Sequence, residues 1–172
     1  MRRYILSIDQ GTSGTKALLF DDEGRFVHRC NAEHRQYYPE LGWVEHDALE
    51  IYNDTVTTIN ALIAETGINP AKINAVSIAN QRETVVVWDK ATGEPIHNAI
   101  VWQCNRSLDI CDRISKMGYD EVIHSKTGLI LSPYYSASKI AWILENVPGA
   151  REKASHGDLL FGTIDSWLIY KF

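Results

Sequence analysis

The stretch YILSIDQGTSGTKALLF, from Tyr4 to Phe20, decides how the fold begins. An apolar run ends at Asp9, a turn rich in glycine and hydroxyl side chains follows, and a second apolar run begins after Lys16. Residues 4–9 and 16–20 are therefore predicted to be two strands, and the first is nearly unbroken, as in a central strand. The turn between them is either a plain hairpin turn or a loop that handles phosphate.

This turn has the chemistry that a phosphate loop needs. Glycines let backbone N–H groups approach phosphate oxygens, and hydroxyls and a cation add to the binding. The residues of these types are Gly11, Thr12, Ser13, Gly14, Thr15 and Lys16. Their spacing matches neither G-x-x-x-x-G-K-[ST] nor G-x-G-x-x-G, and a strand rather than a helix follows. Composition alone favours the hairpin turn, while Asp9 is placed to hold Mg²⁺ through water, since hard cations prefer oxygen.

The rest of the chain indicates an α/β domain. FVHRCNAEHRQYY is predicted to be a third strand, which completes an antiparallel meander. A helix follows in HDALEIYNDTVTTINALIAETG, with Asp47 as its N-cap and Gly67 as its stop. INAVSIAN and TVVVWD are further strands. The remaining helices are predicted in NRSLDICDRISKM, SASKIAWILENV, GAREKA and TIDSWLIYKF.

Bulk properties exclude several classes of protein. The 172 residues suit one ordinary domain, and a net charge of −5 argues against a nucleic-acid partner. No apolar stretch approaches the ~20 residues of a membrane span, so we expect a cytoplasmic protein. Cys30, Cys104 and Cys111 include no CxxC pair, so we expect buried free thiols rather than a disulfide or zinc site. By spacing, the six histidines form no ligand cluster.

A second polar segment, Asn80–Thr84 (NQRET), directly follows a predicted strand, where α/β folds usually place ligands. Arg82 and Glu83 can bind vicinal hydroxyls, the guanidinium donating and the carboxylate accepting. Trp102 and Tyr134 can pack against a polyol and bond its hydroxyls. The alternatives are a polar loop with a weak surface ion pair and two aromatic residues of the core.

Several long motifs of the chain resemble those of the FGGY carbohydrate kinases, from Tyr4 to Phe172 in the same order. They are SIDQGTSGTKALLFD, GWVEHD, IANQRETVVVWDKATGEPIHNAIVWQC, TGLILSPYYSASK and LLFGTIDSWLIYKF. The resemblance implies a ribonuclease H-like fold, shared with actin and hexokinase. Its mixed sheet begins with an antiparallel three-strand meander and has helices on both faces. In the family, two such domains close around a cleft, and ATP phosphorylates a polyol or sugar.

The resemblance also implies roles for the residues singled out above. Gly11, Thr12, Ser13 and Lys16 would face the ATP phosphates, and Asp9 would organise Mg²⁺. For the acceptor, Arg82, Glu83 and Tyr134 would hydrogen-bond the polyol, with Arg82 also supporting catalysis, while Trp102 packs against its carbons. The NQRET segment favours glycerol over a pentulose as the acceptor.

The family's catalytic base is an aspartate in a later segment, beyond Phe172. We therefore expect residues 1–172 to be an N-terminal kinase domain that lacks its C-terminal ATPase domain and is inactive alone. A helical pattern that reaches Phe172 without a cap agrees with a chain that is cut there. A kinase for another polyol or sugar, a non-catalytic binding domain of the same fold, and self-association all stay open.

Overall fold

The computed structural model describes residues 3–172, which form two compact units. Unit 1 comprises the chain up to Gln36, His46–Gln81 and Ile164–Phe172, and unit 2 comprises Tyr37–Glu45 and Arg82–Thr163. Across the described residues, no helix combines the length and apolarity that crossing a membrane would require.

The strands and helices follow one another as an α/β chain. The strands are β1 Tyr4–Gln10, β2 Gly14–Asp21, β3 Phe26–Glu33, β4 Glu45–His46, β5 Ile73–Asn80, β6 Val85–Asp89, β7 Ala99–Ile100 and β8 Leu159–Thr163. The helices are α1 Ala48–Thr66, α2 Leu108–Lys116, α3 Asp120–Thr127, α4 Ser136–Asn146, α5 Ala150–His156 and α6 Ile164–Lys171.

Unit 1 contains a mixed sheet in the order β3-β2-β1-β5. β1, β2 and β3 pair antiparallel, and β5 returns parallel to β1 after the crossover helix α1. The predicted opening meander and mixed sheet are confirmed. The predicted limits of α1 are also confirmed, because the Asp47 carboxylate accepts hydrogen bonds from the Leu49 and Glu50 N–H groups and Gly67 closes the helix at φ 63°.

The core of unit 1 lies between α1 and one face of the sheet. Leu6, Leu19 and Leu62 are at most 3% exposed there. α6 borders the same face, since Ile169 lines a groove with Leu6 and Ile8. Within the described part of unit 1, α1 and α6 thus lie against the same face of the sheet.

Several predicted boundaries differ from the structure, and two of these differences have a clear physical reason. β3 ends at Glu33 instead of running to Tyr38, because the Tyr37 backbone pairs with Glu45 of unit 2 through two 2.9 Å hydrogen bonds. The last helix begins at Ile164 rather than Thr163, because Thr163 ends strand β8, Leu159–Thr163, which pairs antiparallel with β6 and was not predicted. Apolar residues directly before a helix do not reveal from periodicity alone that they belong to a strand.

Unit 2 is built around β6 in a sheet of order β4-β7-β6-β8. Val85 and Val87 of β6 pack with Ile100 and with Ile143 of α4. This core also contains an ion pair, with Arg106 Nη2 2.6 Å from Glu45 Oε1. The guanidinium lies over the rings of Trp43 and Trp142, at 4.0 and 4.7 Å from their centroids. The segment around Glu45 therefore has a packing role in unit 2.

Candidate functional site

The glycine- and hydroxyl-rich segment is a tight hairpin turn between β1 and β2. The Gly11 N–H donates to the Gly14 carbonyl at 2.9 Å and closes the turn. Gly14 lies so close to β3 that a Cβ atom there would be 2.4 Å from the Ala32 carbonyl oxygen. Ser13 and Lys16 are exposed, and Thr12 is half-buried. The turn therefore presents polar groups to solvent on a rigid hairpin.

Asp9 and Lys16 face each other across the first two strands. They are register partners, and Lys16 Nζ lies 3.2 Å from Asp9 Oδ2. Both side chains are about half exposed, at 46% and 50% respectively. The carboxylate and the ammonium are thus open to a ligand, and their mutual attraction is screened by water.

A buried polar layer supports the turn from within unit 1. Gln10 Nε2 donates to the Gly11 carbonyl at 2.8 Å, and Gln81 Nε2 donates to Gln10 Oε1 at 3.1 Å. His34 Nε2 donates to the Thr12 carbonyl at 2.9 Å. His46 Nδ1 accepts from Gln81 Nε2 at 3.1 Å. Sequence reasoning missed this layer, because its members come from four separate segments.

Burial keeps the two histidines of this layer neutral. Their rings meet edge to face, with centroids 4.6 Å apart. Desolvation and the neighbouring His34 lower the pKa of His46 to about 3. Desolvation also lowers the pKa of His34, although its bond to Thr12 and the nearby Asp54 act in the opposite direction. Near neutral pH, the turn is therefore supported by uncharged imidazoles.

The NQRET segment contains the strained residue Glu83. It adopts φ 67°, which is uncommon for a residue with a side chain. The Ser136 N–H and hydroxyl donate to Glu83 Oε2 at 3.1 and 2.8 Å, which ties the carboxylate to the first turn of α4. A helix N-terminus favours a negative group. Glu83 is thus held in place, and Arg82 directly before it is exposed.

Two of the predicted aromatic residues lie together in unit 2. The Trp102 and Tyr134 rings are 5.8 Å apart between centroids, at an interplanar angle of 62°. Tyr134 is 40% exposed, so its ring is not a core residue. Tyr134 and Ser136 belong to one short segment, so the structure brings the Trp102 ring, the Tyr134 ring and the Glu83 carboxylate together around it.

Lys139 holds the segment that carries Tyr134. This lysine of α4 is fully buried, and its Nζ donates hydrogen bonds to three backbone carbonyls, those of Pro133, Tyr134 and Tyr135. The distances to Pro133 and Tyr135 are 2.6 and 3.2 Å. Burial lowers the pKa of Lys139 to about 8, and Glu83 acts against that shift. Sequence reasoning missed Lys139; the available signal was a lysine one residue before Ile140 on the apolar side of a helical pattern.

The expectation that no histidine belongs to a ligand cluster was wrong. Among the described residues, the potential ligand atoms of His28, Cys30 and Glu65 lie within 4.8 Å of one another. Spacing could not reveal this, because Glu65 comes from α1 and the other two from β3. The cysteines are buried free thiols, as expected: Cys30, Cys104 and Cys111 are all buried and unbridged.

A mixed sheet that opens with a meander, returns through a crossover helix and carries a polar hairpin turn defines a domain of the actin and hexokinase type. The N-terminal domain of the FGGY family of carbohydrate kinases matches residues 4–172, and the chain belongs to this family.

Curated relatives of similar sequence support this family assignment. The chain is 54% identical over 171 residues to a glycerol kinase of Geobacillus sp. (strain WCH70), covering 99% of this chain and 34% of the relative. It is 53% identical over 168 residues to glycerol kinase 1 of Thermotoga maritima, covering 98% of this chain and 34% of the relative. The chain thus spans about a third of the length of the curated relatives that it matches.

Solved structures share the fold. The glycerol kinase of Plasmodium falciparum with ADP superposes with a TM-score of 0.89 at 38% identity, over 98% of this chain and 34% of that one. A ligand-bound xylulose kinase of Lactobacillus acidophilus gives a TM-score of 0.82 at 24% identity, over 98% of this chain and 33% of that one, which shows the fold alone.

Proposed function

We propose that the protein carrying this chain is an ATP-dependent kinase that phosphorylates glycerol to sn-glycerol 3-phosphate. The observation that carries the proposal is the group formed by Glu83, Trp102 and Tyr134 in unit 2. It combines a fixed hydrogen-bond acceptor with aromatic surface, as recognition of a short polyol requires. The identity to glycerol kinases supports glycerol over other acceptors.

In this proposal Glu83 and Tyr134 bind the hydroxyls of glycerol, Arg82 donates to them, and Trp102 packs against the carbon chain. Glu83 is the best placed of these, because Ser136 and the N-terminus of α4 fix its carboxylate before a substrate arrives. Such preorganisation would lower the cost of orienting a glycerol hydroxyl for attack on phosphorus.

The hairpin turn of unit 1 is proposed to bind the phosphates of ATP. Gly11, Thr12 and Ser13 supply backbone and hydroxyl donors, and the exposed Lys16 ammonium supplies positive charge. Asp9 fits a hydrated Mg²⁺, since its carboxylate is half exposed and attached to a buried strand. The metal would neutralise phosphate charge during transfer.

We propose that the general base lies outside residues 1–172, in the part of the relatives' length that this chain does not span. We propose that this portion also covers a groove of about 520 Å³ on unit 1. The groove is lined by Leu6, Ile8, Ile59, Val76, Ile78, Asp165, Ile169 and Phe172. Val76, Ile169 and Phe172 are each more than half exposed, at 55%, 65% and 59%.

We also propose a cytoplasmic location, where thiols stay reduced.

An assay of ADP release by the intact protein tests the function. Glycerol should give the highest kcat/KM among glycerol, longer polyols and xylulose. Glu83→Gln should raise KM for glycerol at least about tenfold with little change in KM for ATP, because it weakens hydrogen bonds to a charged acceptor. Glu152→Gln, at an exposed glutamate of α5, is the matched control. A better acceptor than glycerol would overturn the choice of substrate, and no turnover with any acceptor would favour a binding domain.

A further inference from the structure

Three side chains with different metal-binding atoms converge on the surface of unit 1. His28 and Cys30 are two residues apart on β3 and therefore point to the same side of the sheet. Glu65 reaches them from the last turn of α1. The Glu65 carboxylate is the centre of the group. His28 Nε2 lies 2.8 Å from Glu65 Oε2, and the Cys30 thiol also forms a hydrogen bond with this carboxylate.

The dimensions of the group suit a small divalent cation. The three ligand atoms lie within 4.8 Å of one another. Tetrahedral zinc with bonds of about 2.0–2.3 Å needs ligand atoms roughly 3.4–3.6 Å apart. The 2.8 Å contact between His28 Nε2 and Glu65 Oε2 would lengthen by about 0.6–0.8 Å to reach this spacing.

The surroundings also suit a site with one open position. Cys30 is 9% exposed, whereas the side chains of His28 and Glu65 are 37% and 57% exposed. A cation can therefore enter from solvent and keep a water as its fourth ligand.

We propose that His28, Cys30 and Glu65 form a binding site for a borderline divalent cation, with Zn²⁺ the best match to the nitrogen, sulfur and oxygen ligands. Binding forms bonds from the metal to His28 Nε2, Cys30 Sγ and a Glu65 oxygen. The thiol proton passes to solvent, and the imidazole keeps one proton by moving it from Nε2 to Nδ1. This site is separate from the residues assigned above to glycerol and ATP, and the proposal does not depend on the kinase function.

Cobalt titration of the chelator-treated intact protein tests this site directly. Co²⁺ should produce a near-ultraviolet thiolate-to-cobalt absorption band that saturates at one equivalent and disappears when Zn²⁺ is added. Calorimetry of Zn²⁺ binding in buffers of different ionisation enthalpy should show release of about one proton, as the thiol loses its proton.

Variants separate this site from other metal-binding groups. Cys30→Ser should abolish the cobalt band, and His28→Gln should weaken binding at least about tenfold while leaving the fold intact, since His28 is partly exposed. Cys111→Ser, at a buried cysteine of α2 in unit 2, should leave the band unchanged. A band that survives in Cys30→Ser, or no band in the unsubstituted protein, would overturn the proposal. So would a Zn²⁺-induced rise in Tm that is equally large in His28→Gln and in the unsubstituted protein.

Discussion

At the residue scale, Gly14 is where the hairpin turn permits no side chain. A methyl group at this position would lie 2.4 Å from the Ala32 carbonyl oxygen, so Gly14→Ala must displace β3 or the turn. We expect a loss of about 1–3 kcal/mol in the free energy of unfolding, as for other overpacked sites. Urea denaturation measures this loss.

Gly11→Ala is the matched control for that substitution. Its added Cβ would meet the Gly14 carbonyl oxygen at 3.5 Å, an ordinary contact. The unfolding free energy should change by less than about 0.5 kcal/mol. Equal losses for both variants would show that the approach of Gly14 to β3 does not restrict this turn.

Lys139 allows a test of how the segment that carries Tyr134 is held in position. Lys139→Met keeps the length of the side chain but leaves the carbonyls of Pro133, Tyr134 and Tyr135 without their shared donor. The segment that carries Tyr134 should loosen, so KM for glycerol should rise about tenfold while KM for ATP stays within about twofold. Steady-state kinetics of the intact protein, with both substrates varied, measure the two constants.

Lys126→Met, at an exposed lysine of α3, serves as the control and should leave both constants unchanged. If Lys139→Met raised both KM values equally, or lowered only Tm, its proposed effect on the polyol site would be wrong.

At the scale of elements, the ion pair between Arg106 and Glu45 joins β4 to the segment before α2. The Arg106 side chain is fully buried and that of Glu45 is 8% exposed. Arg106→Met leaves a buried carboxylate without its partner, so we expect a loss of about 3–5 kcal/mol in unfolding free energy. Arg113→Met breaks an exposed pair with Glu145 and should cost less than about 1 kcal/mol.

Chemical denaturation of both arginine variants checks this difference. Adding Glu45→Gln to Arg106→Met should recover part of the loss, because the uncompensated charge is then gone. A double variant less stable than Arg106→Met would contradict this account of the pair.

The histidine layer beneath the hairpin turn predicts a dependence of stability on pH. The pKa of His46 falls from 6.5 in the unfolded chain to about 3 in the folded one. Between these values the unfolded state binds more protons, so stability is complete above about pH 6.5 and falls as pH decreases toward 3. One such histidine contributes at most about 1.4 kcal/mol per pH unit. The raised pKa of Asp54 acts against this trend at the acidic end.

Urea denaturation between pH 7 and pH 5 measures this dependence. His46→Gln should make the decline shallower than in the unsubstituted protein. His156→Gln, at an exposed residue of α5, should leave the decline unchanged. If His46→Gln did not change the slope of unfolding free energy against pH, the acid sensitivity would have to come from other groups.

The features that the sequence predicts are those set by near neighbours in the chain. The Asp47 cap, the Gly67 stop and the β1–β2 hairpin all follow from residues within one turn or one hairpin. The contact of Ser136 with Glu83 and that of His28 with Glu65 join residues of different elements. No periodicity encodes such pairs, so the fixed Glu83 carboxylate and the His28 cluster became visible only in three dimensions.

At the scale of the whole molecule, the groove on unit 1 predicts where the remainder of the protein packs. Ile169 is 65% exposed in residues 3–172. If the remainder covers it, Ile169→Asp should lower the Tm of the intact protein by several degrees, since a charge would be buried without a partner. Leu41→Asp, at a fully exposed leucine of unit 2, should change Tm little. Equal shifts for both variants would contradict the proposed packing.

The division into units also bears on how the chain acquires its structure during synthesis. Unit 1 is discontinuous: α6 and its buried Trp167 join β1–β3, α1 and β5 only after Arg82–Thr163 has been made. The Trp167 indole donates to the Ala48 carbonyl at 2.9 Å, a contact between residues 119 apart in sequence. Contacts between residues so far apart in sequence form slowly. Unit 2 should therefore fold first on the ribosome, and the apolar face of unit 1 should stay uncovered until α6 has been synthesised. Chaperone binding to nascent chains should therefore peak just before Ile164–Phe172 emerges.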